Sequence, residues 1–185
     1  VLTGVWALAG WLIVHGPFGG LRAYDDRVAR EMVGRRTPRL DDIAYVVAHG
    51  ADTWIKIGAT ALLAVAFWLA WRRFHEVAVV AVSLILEASV FITVTTIVQR
   101  PRPAVPQLEA SPVSSSFPSG HTAAAAVYAA LAVIVFWHTR STWWRALAVV
   151  LSALAPFAIG LARVYQGMHH VSDVTAGALL GFVTV

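Results

Sequence analysis

Three short clusters in this chain carry residue types that can handle a tetrahedral anion. They are Arg100-Pro101-Arg102-Pro103, Pro118-Ser119-Gly120-His121, and the run from Arg163 through His169 to Asp173. Each has an ordinary reading when taken alone. An Arg-Pro repeat anchors a helix exit, Ser-Gly caps a helix start, and a His and an Asp four residues apart form a structural pair. Together they offer more. Two guanidinium forks and the amides of a helix N-terminus suit a phosphate-like dianion. Phosphoryl transfer then needs a nucleophile and a proton donor in line, and two histidines supply both near neutral pH. The spacing makes His169 the carboxylate-supported one, with Asp173 fixing its tautomer. His121, at the start of the helix that cradles the anion, is then the acid for the leaving oxygen. Such a set requires no metal and no cofactor, and no carboxylate cluster near it reads as a magnesium site.

The elements that must position these residues read as helices in a bilayer. The 185 residues are 58% apolar and 13% charged, which excludes an ordinary soluble domain. With no cysteine, disulfides and thiolate metal sites are excluded as well. The net charge of +4 comes almost entirely from Arg. In so apolar a chain, that points to lipid headgroups or phosphate and away from nucleic acid. A span needs roughly 20 apolar residues. Candidates run from Val1 to Phe18, Thr53 to Trp71, Val77 to Val98, His121 to Trp137 and Trp143 to Ala162, with a sixth beginning at Val174. Trp54, Trp68, Trp71, Trp137, Trp143 and Trp144 near span ends fit an interfacial aromatic belt. Pro156 is expected to kink the fifth span. The fold expected is all-α: a six-transmembrane-helix bundle forming one domain over residues 1–185. Because Val1 already sits in an apolar run, the chain reads as trimmed at its start.

Loop parity brings the chemistry together. If the segment from Gly19 to Asp52 lies on one face, so do Gln99 to Pro118 and Arg163 to Asp173. Arg72 to Glu76 and His138 to Thr142 lie on the other. All three clusters therefore share a face. Within the first loop, Leu21, Tyr24, Val28 and Met32 have helical spacing, as do Ile43, Val46 and Val47 after Thr37-Pro38. They predict two short amphipathic helices capping the bundle, and this cap with loop 104–117 is where headgroup selection is expected.

The order Arg-Pro, Pro-Ser-Gly-His, Arg-x5-His-x3-Asp resembles the type 2 phosphatidic acid phosphatase family, whose superfamily also holds soluble acid phosphatases and vanadium haloperoxidases. The resemblance covers about Asp26 to Gly177. It implies a phosphohistidine on His169, oriented by Asp173, and protonation of the leaving group by His121. It also implies phosphoryl contacts from Arg102, Ser119, Gly120 and Arg163, a lipid phosphate substrate, and no metal. Two positions depart from the family pattern. Thr95 stands where a Lys is usual, seven residues before Arg102, and Ala162 stands where a Ser precedes the Arg of the third motif. Thr95 offers the phosphate one hydrogen bond and no charge, and Arg100 is the candidate replacement cation. His170 breaks the six-residue step from Arg163 and reads as a bystander.

Glu87, in mid-span, is a structural hydrogen-bonding group or part of a substrate or proton path. Sidedness is read two ways. Six Arg between Arg22 and Arg39 favour a cytoplasmic clustered face by simple count. The resemblance implies an extracytoplasmic site, and a folded cap weakens the count, so the outer face is the expectation. Phosphoryl transfer to an acceptor other than water, a transporter, and an inactive scaffold are the competing readings. The identity of the lipid and the oligomeric state are not encoded in the motifs.

Overall fold

The computed structural model describes residues 1–72, 74–110 and 114–185. Arg73, assigned above to the far face, and residues 111–113 of the 104–117 loop lie outside the described residues, as does the side chain of Trp71. Among the described residues there are nine helices and no strand: α1 (Leu2–His15), α2 (Gly19–Gly34), α3 (Pro38–His49), α4 (Thr53–Trp71), α5 (His75–Val98), α6 (Gly120–Val127), α7 (Ala129–His138), α8 (Thr142–Tyr165) and α9 (Val171–Val183).

The six-span expectation is met in part. His75–Val98, Thr142–Tyr165 and the α6–α7 pair over Gly120–His138 are each long and apolar enough to cross a bilayer. The count rises to five if the bent pairs α1–α2 (83°) and α3–α4 (50°) are each one span. At 1.5 Å per residue, α1 reaches only about 21 Å, short of the roughly 30 Å hydrocarbon core. It ends before Gly16-Pro17, and α2 is already polar. α9 starts three residues earlier than read from sequence and has 13 residues. The two amphipathic helices of the first loop are present as α2 and α3. α3 begins on Thr37, whose Oγ1 accepts from the Leu40 amide at 3.3 Å, with Pro38 in the first turn. Pro156 lies inside α8. Trp54, Trp137, Trp143 and Trp144 are exposed on the helix exterior, as a lipid-facing belt requires.

The centre of the bundle is α6, where Ala123 to Ala126 are almost wholly buried. α9 lies against it through glycines. A Cβ on Gly177 would overlap the Ser119 carbonyl oxygen, and one on Gly181 the Ala123 carbonyl oxygen. Small residues let the two backbones touch, the packing mode that membrane helices use when apolar burial cannot drive association. Gly181→Ala is therefore predicted to destabilise. The overlap costs about 1–3 kcal/mol against a propensity gain of at most about 1 kcal/mol, which thermal unfolding in detergent would register as a lower midpoint.

The far end of the bundle holds a polar cluster of its own: His138 Nε2 meets buried Glu76 at 2.8 Å, and Arg145 donates to the carbonyls of Thr139 and Phe136. In mid-bundle, buried Glu87 on α5 has Lys56 on α4 as its opposing charge.

Candidate active site

α8 ends at Tyr165, and the chain turns through Gly167 at φ +75°, a conformation that disfavours side chains. A Cβ there would also crowd Val105 and Pro106. This turn delivers His169 into the protein, 4% exposed. Its Nδ1 lies 2.8 Å from the Ser116 carbonyl oxygen. A carbonyl only accepts, so Nδ1 carries the proton and Nε2 of the neutral ring keeps its lone pair. Burial, then the charges of Arg102 and Arg163, hold the His169 pKa well below 6.5. The ring is neutral at neutral pH, the form a nucleophile needs.

Arg102 and Arg163 converge on the same region. Arg102 Nη1 donates to the Met168 carbonyl at 2.7 Å, one residue before His169. Burial and the nearby Arg163 lower the Arg102 pKa. Arg163 Nη1 donates to Glu109 at 2.8 Å and to Gln166 Oε1 at 3.0 Å, and Gln166 donates to the other Glu109 oxygen at 2.6 Å. The Nε of both arginines is buried and has no protein acceptor among the described residues. Two buried cationic donors left unspent within electrostatic reach of a neutral imidazole make a place for an anion.

Asp173 does not make the expected hydrogen bond to His169. Its Oδ2 is 4.0 Å from His169 Nδ1, because that oxygen already accepts from the His170 amide at 2.8 Å and faces His170 Nδ1 at 3.0 Å. Its Oδ1 accepts from Arg100 at 2.5 Å. His170, read as a bystander, is thus the direct partner of Asp173. Arg100 is not a replacement phosphate cation either. Its guanidinium also binds Asp25 of α2 at 2.9 Å and Ser172 Oγ at 2.7 Å, all buried. Ser172 in turn donates to Asp25 through its amide and its hydroxyl. This network clasps the cap to the loop that carries His169.

At the second motif, His121 is the second residue of α6. Its Nε2 is 3.1 Å from Asp52 Oδ1 at the α3–α4 junction. It lies within electrostatic reach of Arg163, Lys56 and His169. Ser119 differs from expectation. Its amide donates to the Asp173 carbonyl at 3.0 Å, and its hydroxyl pairs with Thr122 at 3.0 Å. It makes no cap bond to α6. The amides of Gly120 and His121, which an α-helix leaves without intrahelical acceptors, remain for an anion. Gly120 itself is pressed against the Phe91 ring. Thr95 is not brought in by its hydroxyl, which back-bonds to the Phe91 and Ile92 carbonyls of its own helix.

Sequence reasoning missed Asp25, Asp52, Glu109, Gln166 and the Ser116 carbonyl. Asp25 and Asp52 had a weak signal as acids flanking apolar faces of the cap. A backbone carbonyl has none. Among the described residues, no group of three or more His, Asp or Glu is placed to hold a metal ion.

The sequence and the fold both resemble those of known proteins. The sequence matches the PAP2 superfamily over residues 76–185. It is 35% identical over 82 residues to the bacitracin transport permease protein BcrC of Bacillus licheniformis, covering 44% of this chain. The match spans 36% of that relative's length. The fold superposes on the crystal structure of a transmembrane PAP2-type phosphatidylglycerolphosphate phosphatase from Bacillus subtilis with a TM-score of 0.88. The identity is 20%, and 98% of this chain and 90% of that one are covered. It also superposes on LpxE of Aquifex aeolicus with a TM-score of 0.61 and 26% identity, covering 85% and 90% of the two chains.

Proposed function

The chain belongs to the PAP2 superfamily, and we propose that it is an integral membrane phosphatase hydrolysing a phosphomonoester or diphosphate of a lipid through a phosphohistidine. One observation carries the reading. A buried imidazole with a free Nε2, two arginines with unspent buried Nε donors, and a second imidazole meet at one end of a bundle of apolar helices.

In the first step His169 Nε2 attacks phosphorus. The N–P bond forms, the P–O bond to the lipid breaks, and the His121 imidazolium gives its proton to the leaving oxygen. Water then attacks the phosphohistidine and passes a proton to His121, the N–P bond breaks, and phosphate leaves. Arg102, Arg163 and the amides of Gly120 and His121 neutralise the equatorial oxygens. Asp173 stabilises the loop and, from 4.0 Å, the charge that develops on His169. Thr95 and the Ser119 hydroxyl take no part.

A lipid tail has somewhere to lie. A groove of about 480 Å³ between α2, α8 and α9 is lined by Val28, Met32, Pro156, Phe157 and Val174, among others, and is overwhelmingly apolar. It reaches Thr122, next to His121. We further infer a single six-span domain with residues 19–52 as its cap, and a site on the extracytoplasmic face.

The name of the Bacillus licheniformis relative supports a second reading, transport. Phosphate release from a panel of lipid phosphates by the purified protein, with and without EDTA, separates the two. Turnover that survives EDTA is expected. Flux of a lipid or peptide without phosphate release overturns the phosphatase reading. Phosphoryl transfer would appear as a phosphorylated acceptor in place of free phosphate.

A further inference from the structure

We propose that Asp52 is a positioning residue that fixes the tautomer of His121, and so sets which nitrogen exchanges protons with the leaving group and with water. The inference rests on the phosphatase reading. Asp52 is the residue before α4, where an Asp ordinarily accepts from the amides of the first turn. Here it makes no such bond. Both its oxygens instead face imidazoles: Oδ1 faces His121 Nε2 at 3.1 Å, and Oδ2 faces His49 Nε2 at 3.5 Å. The carboxylate has given up its local role for a contact with a residue 69 positions away.

A carboxylate accepts, so His121 Nε2 must carry a proton. That leaves Nδ1 to serve the reaction. In the imidazolium, Nδ1–H donates to the leaving oxygen, and after transfer the neutral ring holds its lone pair on Nδ1. The same nitrogen then accepts the proton of the attacking water, which restores the imidazolium. Without Asp52 the neutral ring can hold its proton on Nδ1, where it cannot act as the base. The other charges facing His121 are Arg163 on α8 and Lys56 on α4. Both are cationic and oppose its protonated form, so Asp52 is the counter-charge. The contact also joins the cap to the chemistry, since Asp52 follows α3 directly and His49 closes that helix.

The test compares a lipid phosphate, whose alkoxide leaving group needs a proton, with p-nitrophenyl phosphate, whose phenolate does not. Asp52→Asn and Asp52→Ser remove the charge while keeping residues that start helices well. The ratio of kcat/KM on the lipid to kcat/KM on the aryl ester, which reports the first step and not the shared hydrolysis of the phosphohistidine, is expected to fall about tenfold or more in both. In a His121→Ala background the same substitutions are expected to lower the lipid rate less than about twofold, because a residue acting through another adds nothing once that other is gone. The inference is overturned by equal losses of kcat/KM on both esters, by multiplicative losses with His121→Ala, by wild-type rates, or by failure of both variants to fold. A wild-type protein that releases no phosphate from either ester overturns the phosphatase reading instead.

Discussion

His169→Ala is expected to lower phosphate release from a lipid phosphate at least a thousandfold, with no labelled protein trapped on acid-free quenching. The substitution removes a buried imidazole whose Nε2 is unprotonated and whose ring lies within electrostatic reach of both arginines. A nucleophile cannot be partly replaced by its neighbours. His170 is one residue away, but its ring is bound to Asp173 on one side and lies 3.9 Å from Asp26 on the other. Removing a member of a catalytic unit typically leaves only the rate that binding and charge neutralisation provide alone, a loss of about 10³–10⁶. Retention of more than about a tenth of the wild-type rate would falsify the assignment of His169. The pH profile gives an independent check. The folded-state pKa of His169 is depressed below 6.5, so the neutral imidazole that the proposed attack needs is already present at pH 6.5 and is lost only as pH falls through the lower value. The acid limb of kcat/KM that reports His169 therefore lies below 6.5. The sign for stability is the same: the preference for a neutral buried ring is satisfied above the unfolded value and becomes a cost on acidification.

What the sequence made legible here was periodicity and parity. Apolar runs gave the long helices α5 and α8 to within three residues at each end, and the amphipathic spacing of Leu21 to Met32 and Ile43 to Val47 gave α2 and α3. Alternation of loops placed Arg102, His121, Arg163 and His169 on one face, and the structure brings the first three within electrostatic reach of His169. Partner choice was not legible. The i, i+4 spacing of His169 and Asp173 allows a contact but does not require one, and helix geometry gave the carboxylate to His170, three residues away, because α9 starts there. Arg100 and Arg102 look equivalent in an Arg-Pro-Arg-Pro string. A two-residue step along extended chain preserves direction in principle, yet one guanidinium runs to Asp25 and the other to the Met168 carbonyl. The difference lies in a carboxylate 75 residues away, which no local pattern reports. Span counting failed at the chain's short helices for a similar reason: composition reports apolarity, not where Gly16-Pro17 turns the backbone by 83°.

The contrast between those two arginines yields the largest stability effect we predict. Arg100→Met is expected to destabilise the protein by about 3–5 kcal/mol, the usual consequence of removing one partner from a buried ion network. Asp25 and Asp173 are 1% and 0% exposed, and Arg100 donates to both. Without it, two carboxylates remain buried with hydroxyl, amide and imidazole partners but no guanidinium counter-charge. Against a total stability of about 5–15 kcal/mol, that loss is severe, and thermal unfolding in detergent would show it as a large fall in midpoint. Arg100→Lys rescues only in part, because one ammonium cannot present the fork that reaches Asp25, Asp173 and Ser172 together. Arg100→Met with Asp25→Asn is expected to recover part of the loss, since it removes one stranded charge and keeps an amide that can meet Ser172. Arg102→Met behaves differently. Arg102 has no carboxylate partner among the described residues, so its loss strands no charge. It should lower turnover sharply while leaving the unfolding midpoint nearly unchanged. If the two substitutions exchange these phenotypes, with Arg100→Met folding like the wild type and failing in phosphate binding, then the clasp between the cap and the His169 loop is not what holds the site in shape, and Arg100 belongs among the phosphate ligands after all.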